Sequence, residues 1–257
     1  MDIKLLNKQE NKLNILIKGT DSTFINTLRR IMTAEVPTLA IKSVNFTKNT
    51  SALYDEIIAH RLGMLPLITD LKTFDLPEKC SCKNEGCAKC QITLTLKAEG
   101  PITVYSSDLK FQDPKVKSVF DKMPIIKLLK GQELEFEAIA TLGKAEDHAK
   151  YSPALVYYRG VPKFIINKKI QVKPCIKACN DLLKEKGDSL EVTDLSKWNE
   201  GYEQTCEEHE INVVNSEKDF VFTIESWGKL SPEEIFTTAL DILDEKLDDF
   251  SAQLSKA

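Results

Sequence analysis

An α+β fold is predicted by three observations. Residues 21–37, DSTFINTLRRIMTAEVP, read as one amphipathic helix with a hard stop. The middle of the chain is cut by Pro and Gly into short segments of strand character. From Ser231 onward runs a second, longer amphipathic helix. Helical pieces thus lie toward both ends, with strands between.

The elements follow in order. Residues 12–19 alternate Leu13, Ile15 and Ile17 against Asn14, Leu16 and Lys18, a strand with one face better buried. In the helix after it, Asp21 or Ser22 can cap the first turn. Phe24, Leu28, Ile31 and Glu35 share one stripe, widened by Ile25 and Met32. Pro37 ends the helix, because the residue before a proline is pushed out of the helical region. Arg29 and Arg30 are consecutive, so at least one leaves the buried face. Residues 39–46 read as a strand. Asp55 caps a short helix to about Leu62, with Gly63 as its stop.

Beyond a cysteine-rich loop at 75–90, residues 91–98 alternate Ile92, Leu94 and Leu96 with polar neighbours, a half-buried strand. Residues 102–106, 124–129, 133–141, 154–159 and 163–168 are further strand candidates. Residues 174–183 and 198–209 read as short helices or irregular structure, with a polar stretch at 184–194 between them. Residues 219–226 alternate Phe220, Phe222 and Ile224 as a last strand. Ser231-Pro-Glu-Glu234 is a capping box with proline at the first helical position. Phe236, Leu240, Leu243, Leu247, Phe250 and Leu254 then recur in a heptad seam. A helix this long packs on its own domain or is shared with a partner chain.

The 257 residues, 42% hydrophobic, suffice for one large domain or two modest ones. The net charge of −4, with both signs interspersed, does not provide the basic face of a nucleic-acid binder. No run reaches the roughly 18 to 20 apolar residues of a membrane span. Met1-Asp-Ile-Lys lacks the layout of a secretory signal, so the cytoplasm is expected. Seven cysteines in such a chain point to metal or buried thiols before disulfides.

Cys80, Cys82, Cys87 and Cys90 form C-x-C-x4-C-x2-C, with Gly86 placed to turn the chain between the pairs. Four thiolates this close can surround one tetrahedral zinc, a closed structural site; reduced thiols or a disulfide are the alternatives. Cys175, Cys179 and Cys206 are a second group, to which His209 offers a fourth ligand. No nucleophile–base pair, glycine-rich phosphate loop or magnesium-binding aspartate cluster is present, so the chain supplies no nucleotidyl-transfer site.

Phe24-Ile-Asn-Thr-Leu-Arg-Arg30, Val36-Pro37, Tyr54-Asp-Glu56, Ala59-His-Arg-Leu62 and Leu65-Pro-Leu67 together resemble the D-subunit family of archaeal RNA polymerase. That family is related to the third-largest subunit of eukaryotic polymerase II and, more distantly, to bacterial alpha. The resemblance runs over nearly the whole chain and is weakest at 172–213. It implies an alpha-like dimerisation domain from residues 1–38 and 214–257, with residues 39–213 inserted. It also implies a non-catalytic platform subunit that pairs with a smaller L-like subunit. The Phe24 helix, with Leu28 and Ile31, and the Phe236 seam would form that dimer interface. Arg29, Arg30, Asp55, Glu56 and Arg61 would meet the large catalytic subunits, and small subunits N and P would join. The eukaryotic relative's zinc site lies at a place similar to Cys80–Cys90, which favours zinc there.

Many relatives carry a ferredoxin-like insertion with an iron–sulfur cluster at the place of 172–213. This chain departs from that pattern: three cysteines remain and the C-x2-C-x2-C run is absent, so the insertion reads as degenerate. Two rivals stay open. One is a zinc or iron–sulfur redox or interaction protein built on the cysteines. The other is an autonomous homodimeric scaffold.

Overall fold

The computed structural model of the chain describes residues 1–83, 85–166, 172–187 and 189–256. The elements are, in order, β1 (Asp2–Lys8), β2 (Lys12–Lys18), α1 (Ser22–Ala34), β3 (Thr38–Asn49), α2 (Asp55–Gly63), β4 (Gln91–Glu99), β5 (Ile102–Tyr105), β6 (Lys110–Phe111), β7 (Pro124–Leu128), β8 (Glu133–Gly143), β9 (Ala154–Ile165), α3 (Lys173–Ala178), β10 (Leu183–Lys186), β11 (Ser189–Val192), α4 (Glu200–Glu208), β12 (Asn212–Ser226) and α5 (Pro232–Leu254). The fold is α+β, as the patterning predicts. Two compact units divide the chain: residues 1–29 with 156–225, and residues 30–155 with 226–257.

The first unit is built on a sheet ordered β1-β2-β12-β9. β2 is interior, so Leu13, Asn14, Ile15, Leu16 and Ile17 are all buried, where alternation predicts one covered face. Asn14 is satisfied by its register partner: Thr223 Oγ1 donates to Asn14 Oδ1 at 2.8 Å. That bond offsets the cost of burying an amide. At the start of α1, Asp21 Oδ1 accepts from the Phe24 N–H at 2.8 Å, which settles the cap on Asp21.

Residues 154–159 and 163–168, read as two strands, form the single strand β9 as far as Ile165. Positions 167 and 168 lie outside the described residues. β9 is an edge strand, which tolerates Pro162. At Gly160 a Cβ would stand 2.5 Å from Ser216 O, so only glycine lets β9 come this close to β12. β9 neighbours β12, so the chain beyond about residue 155 belongs to the sheet of the chain ends. β1 and the β10–β11 hairpin were not legible as strands. β1 is an edge strand whose Ile3 and Leu5 stay exposed. The hairpin lies in the polar stretch 184–194.

The second unit holds a sheet ordered β3-β8-β4-β6 and the pair β5-β7. β4 buries Ile92, Leu94 and Leu96 as its alternation predicts. α2 buries Ile58 and Leu62 in the same core as Leu39, Ile41, Phe136 and Leu142. Asp55 does not cap α2. The N-cap is Tyr54, without a side-chain bond, and Asp55 accepts from Asn49 Nδ2 at 2.7 Å. Gly63 is the last helical residue, and the helix closes on a right-handed Met64, so no left-handed glycine is used. α5 begins with the expected capping box: Ser231 Oγ accepts from the Glu234 N–H at 3.2 Å, and Glu234 Oε2 from the Ser231 N–H at 3.0 Å.

Candidate metal centre and interaction surfaces

The four cysteines of the 75–90 loop converge. The loop is closed at its base where the Asp75 N–H donates to Lys89 O at 2.8 Å. Gly86 turns the chain with φ +89, and a Cβ there would strike the Gln91 side chain at 2.6 Å. Cys82 Sγ lies 3.5 Å from the sulfurs of Cys80 and Cys90. Cys87 Sγ lies 3.6 Å from Cys80 and 3.9 Å from Cys90. A tetrahedral ion with metal–sulfur bonds of about 2.3 Å spaces its sulfurs about 3.8 Å apart, so the four residues fit one closed site. No disulfide joins any of the four. The Cys87 N–H also donates to Cys90 Sγ at 3.3 Å, orienting that sulfur. Burial pushes the Cys82 thiol up, but hydrogen bonding to Cys80 and Cys90 outweighs it and holds the group at about 6. Burial pushes Cys90 up to about 12.

Cys175 on α3, Cys179 at its C-terminus and Cys206 on α4 also meet. Cys206 Sγ lies 3.3 Å from Cys175 and 3.8 Å from Cys179. All three are fully buried among Phe164, Leu183, Leu190, Trp198 and Ile211. Burial pushes Cys179 up to about 11 and Cys206 well above the ordinary thiol range. His209 does not join them. It caps the C-terminus of α4, partly exposed, while the cluster lies in the apolar core, so the Cys3His set is not assembled.

The helix stripes divide by burial. Leu28 and Ile31 are 1% and 2% exposed within the chain itself; Phe24 is half-buried. On α5 the row turned inward is Ile235 and Ala239. The seam lies beside that row: Phe236, Leu240 and Leu243 are half-buried. Leu247, Phe250 and Leu254 are 56%, 61% and 61% exposed, an unpartnered apolar row. Among the large-subunit candidates, Arg30, Asp55, Glu56 and Arg61 are exposed. Arg61 Nη2 donates to Pro124 O at 2.8 Å, and Arg29 Nε to Asn26 Oδ1 at 3.0 Å. The sequence reading missed Lys229, which is 6% exposed and bonded to Lys150 O. Burial holds its ammonium down at about 8. Its place after Trp227-Gly228 looks like an ordinary turn, so no sequence signal marks it. No helix among the described residues is long and apolar enough to cross a membrane.

Residues 40–155 match the family model described as RNA polymerase Rpb3/RpoA insert domain. The whole chain is similar to proteins named DNA-directed RNA polymerase subunit Rpo3. The relative from Pyrococcus furiosus is 40% identical over 268 residues, covering 100% of this chain and 98% of its own. That from Thermococcus kodakarensis is 39% identical over 263 residues, with 100% and 98% covered. That from Methanosphaera stadtmanae is 38% identical over 263 residues, with 96% of each covered.

Proposed function

We infer the role of each surface from one premise: the chain belongs to the Rpo3 family of DNA-directed RNA polymerase subunits, which is the archaeal D-subunit family. It is a non-catalytic assembly subunit of a nucleotidyltransferase complex that transcribes DNA into RNA. In this reading the sheet of the chain ends and α5 form the dimerisation domain, and the insert ends near residue 155 rather than 213. The insert-domain match and the pairing of β9 with β12 support that boundary.

The α5 seam takes up an alpha-like small subunit, the L-like chain, to make a heterodimer. The observation that carries this is the exposed row Leu247, Phe250 and Leu254. Phe24 stays as a rim contact, and Leu28 and Ile31 support it from inside. The dimer is then a cytoplasmic platform for the large subunits, met through Arg29, Arg30, Asp55, Glu56 and Arg61, and for small subunits N and P. Arginine suits such a surface because its planar fork pairs with carboxylates. Cys80, Cys82, Cys87 and Cys90 hold a structural zinc. Their sulfur spacing and the closed four-thiol donor set support it. Cys175, Cys179 and Cys206 serve as core thiols.

Co-expression with an L-like subunit, followed by light scattering and metal analysis of the same peak, tests these assignments together. The expected result is a one-to-one heterodimer with about one zinc per chain and no iron. A stable homodimer that ignores the L-like chain overturns the partner assignment. Leu247→Ala or Phe250→Ala should weaken the heterodimer by about 2 to 5 kcal/mol. Both side chains are exposed in the free chain, so its own melting should hold. Undiminished affinity would move the interface elsewhere. Arg30→Ala should keep the heterodimer but lower recruitment of a large subunit, and a normal polymerase yield would sink that role.

A further inference from the structure

A cavity of about 110 Å³ opens between β3, α2 and the turn that carries His148 and Lys150. Lys42, His60, His148 and Lys150 line it together with Ser43, and no carboxylate does. Two of the chain's three histidines are therefore gathered at one small hollow of a protein with net charge −4. The nearby acids turn elsewhere. Glu146 is paired with Lys144 at 3.1 Å. Asp147 lines a separate hollow, which Lys42 also borders.

The lysine, histidine and serine side chains among the lining residues can all donate. Lys150 Nζ spends one N–H on Ile41 O at 2.9 Å and stands 5.3 Å from the Tyr151 ring centroid. An ammonium has three donors and no acceptor, so donor capacity remains. His148 Nδ1 accepts from the Lys150 N–H at 3.1 Å, which places the proton of the neutral ring on Nε2, again a donor. Burial and the neighbouring charge of Lys42 both pull the Lys150 ammonium below its ordinary pKa. An anion between the two cations would relieve that repulsion.

We propose that this cavity binds a small tetrahedral oxyanion of the phosphate or sulfate class. The donor-bearing residues come from three separate segments, β3, α2 and the turn at 148–150, which suits a ligand with oxygens on several sides. A carboxylate offers two oxygens in one plane and is best met by the arginine fork, and no arginine lines this cavity.

Calorimetric titration of the full chain with inorganic phosphate at low ionic strength tests this, with sulfate and acetate as separate titrants. Phosphate and sulfate should bind one-to-one and compete, and acetate should bind far more weakly. Lys42→Met and His148→Gln, both at exposed positions, should each weaken phosphate roughly tenfold or more. Lys4→Met on β1 should leave it unchanged, and circular dichroism should show every variant folded. The proposal falls if no saturable binding is seen or if acetate binds as tightly as phosphate. It also falls if the two cavity variants bind like wild type, or if Lys4→Met loses as much as they do.

Discussion

The two cysteine clusters place the same side chain in opposite surroundings. The 75–90 loop is polar, with Glu78, Lys79, Lys83, Glu85 and Lys89 exposed around its four thiols. The cluster of Cys175, Cys179 and Cys206 is wholly buried between two short helices and a hairpin. In the loop, hydrogen bonding brings Cys82 down to about 6 despite burial. In the core, burial pushes the Cys179 and Cys206 thiols up. The thiolate is the metal ligand, so the loop is prepared to bind an ion and the core cluster behaves as small apolar side chains. The loop has little apolar mass to order it, so on the zinc proposal it would depend on ligation, whereas the core cluster is covered by apolar side chains.

The largest expected effect is therefore on the loop. A strong chelator, or Cys82→Ser with Cys87→Ser, should remove about one metal ion per chain. Hydrogen-exchange protection of the Asp75 N–H should vanish, while β4 and β8 stay protected. Cys175→Ala should leave the metal content unchanged; a matching loss of metal would erase the contrast. Next in size is Cys206→Ser. It puts a hydroxyl into an apolar core and should cost about 1 to 3 kcal/mol, read as a lower melting temperature. In metal-free protein, thiol alkylation should label Cys82 first and reach Cys175, Cys179 and Cys206 only on unfolding. Equal labelling rates would mean the core is open.

Legibility in the sequence followed the physics of each signal. α1, β4 and α5 were readable because cap, periodicity and stop agree within each segment. β9 was split in two because Gly160-Val-Pro162 reads as a turn. Its glycine answers to Ser216 across the sheet, which no local pattern shows. β1 alternates only over Asp2-Ile3-Lys4-Leu5, too short a run to mark a strand, and as an edge strand it leaves Ile3 and Leu5 exposed. The convergence of Cys80, Cys82, Cys87 and Cys90 was legible because their spacing is local. The separation of Leu28 and Ile31 from Leu247, Phe250 and Leu254 was not. Periodicity locates an apolar stripe but not what covers it. The cavity of Lys42, His60, His148 and Lys150 joins residues about a hundred positions apart, each unremarkable alone.

The smallest effect tests whether the loop is held by its sulfurs or by its neighbours. Lys79, next to Cys80, reaches Glu245 on α5 at 3.4 Å, with the two side chains 71% and 66% exposed. A pair so open to water contributes a few tenths of a kcal/mol, because solvent screens it and two long side chains must be held still. Lys246 and Glu35 meet at 2.5 Å with Glu35 largely covered, so that pair should contribute more, up to about 1 kcal/mol. Glu245→Gln should thus leave loop protection and metal content as they are, while Glu35→Gln should lower the melting temperature slightly. Loosening of the loop by Glu245→Gln, on the scale that chelation produces, would mean that α5 orders it. The contrast between a ligated loop and a buried thiol core would then have to be redrawn around that helix.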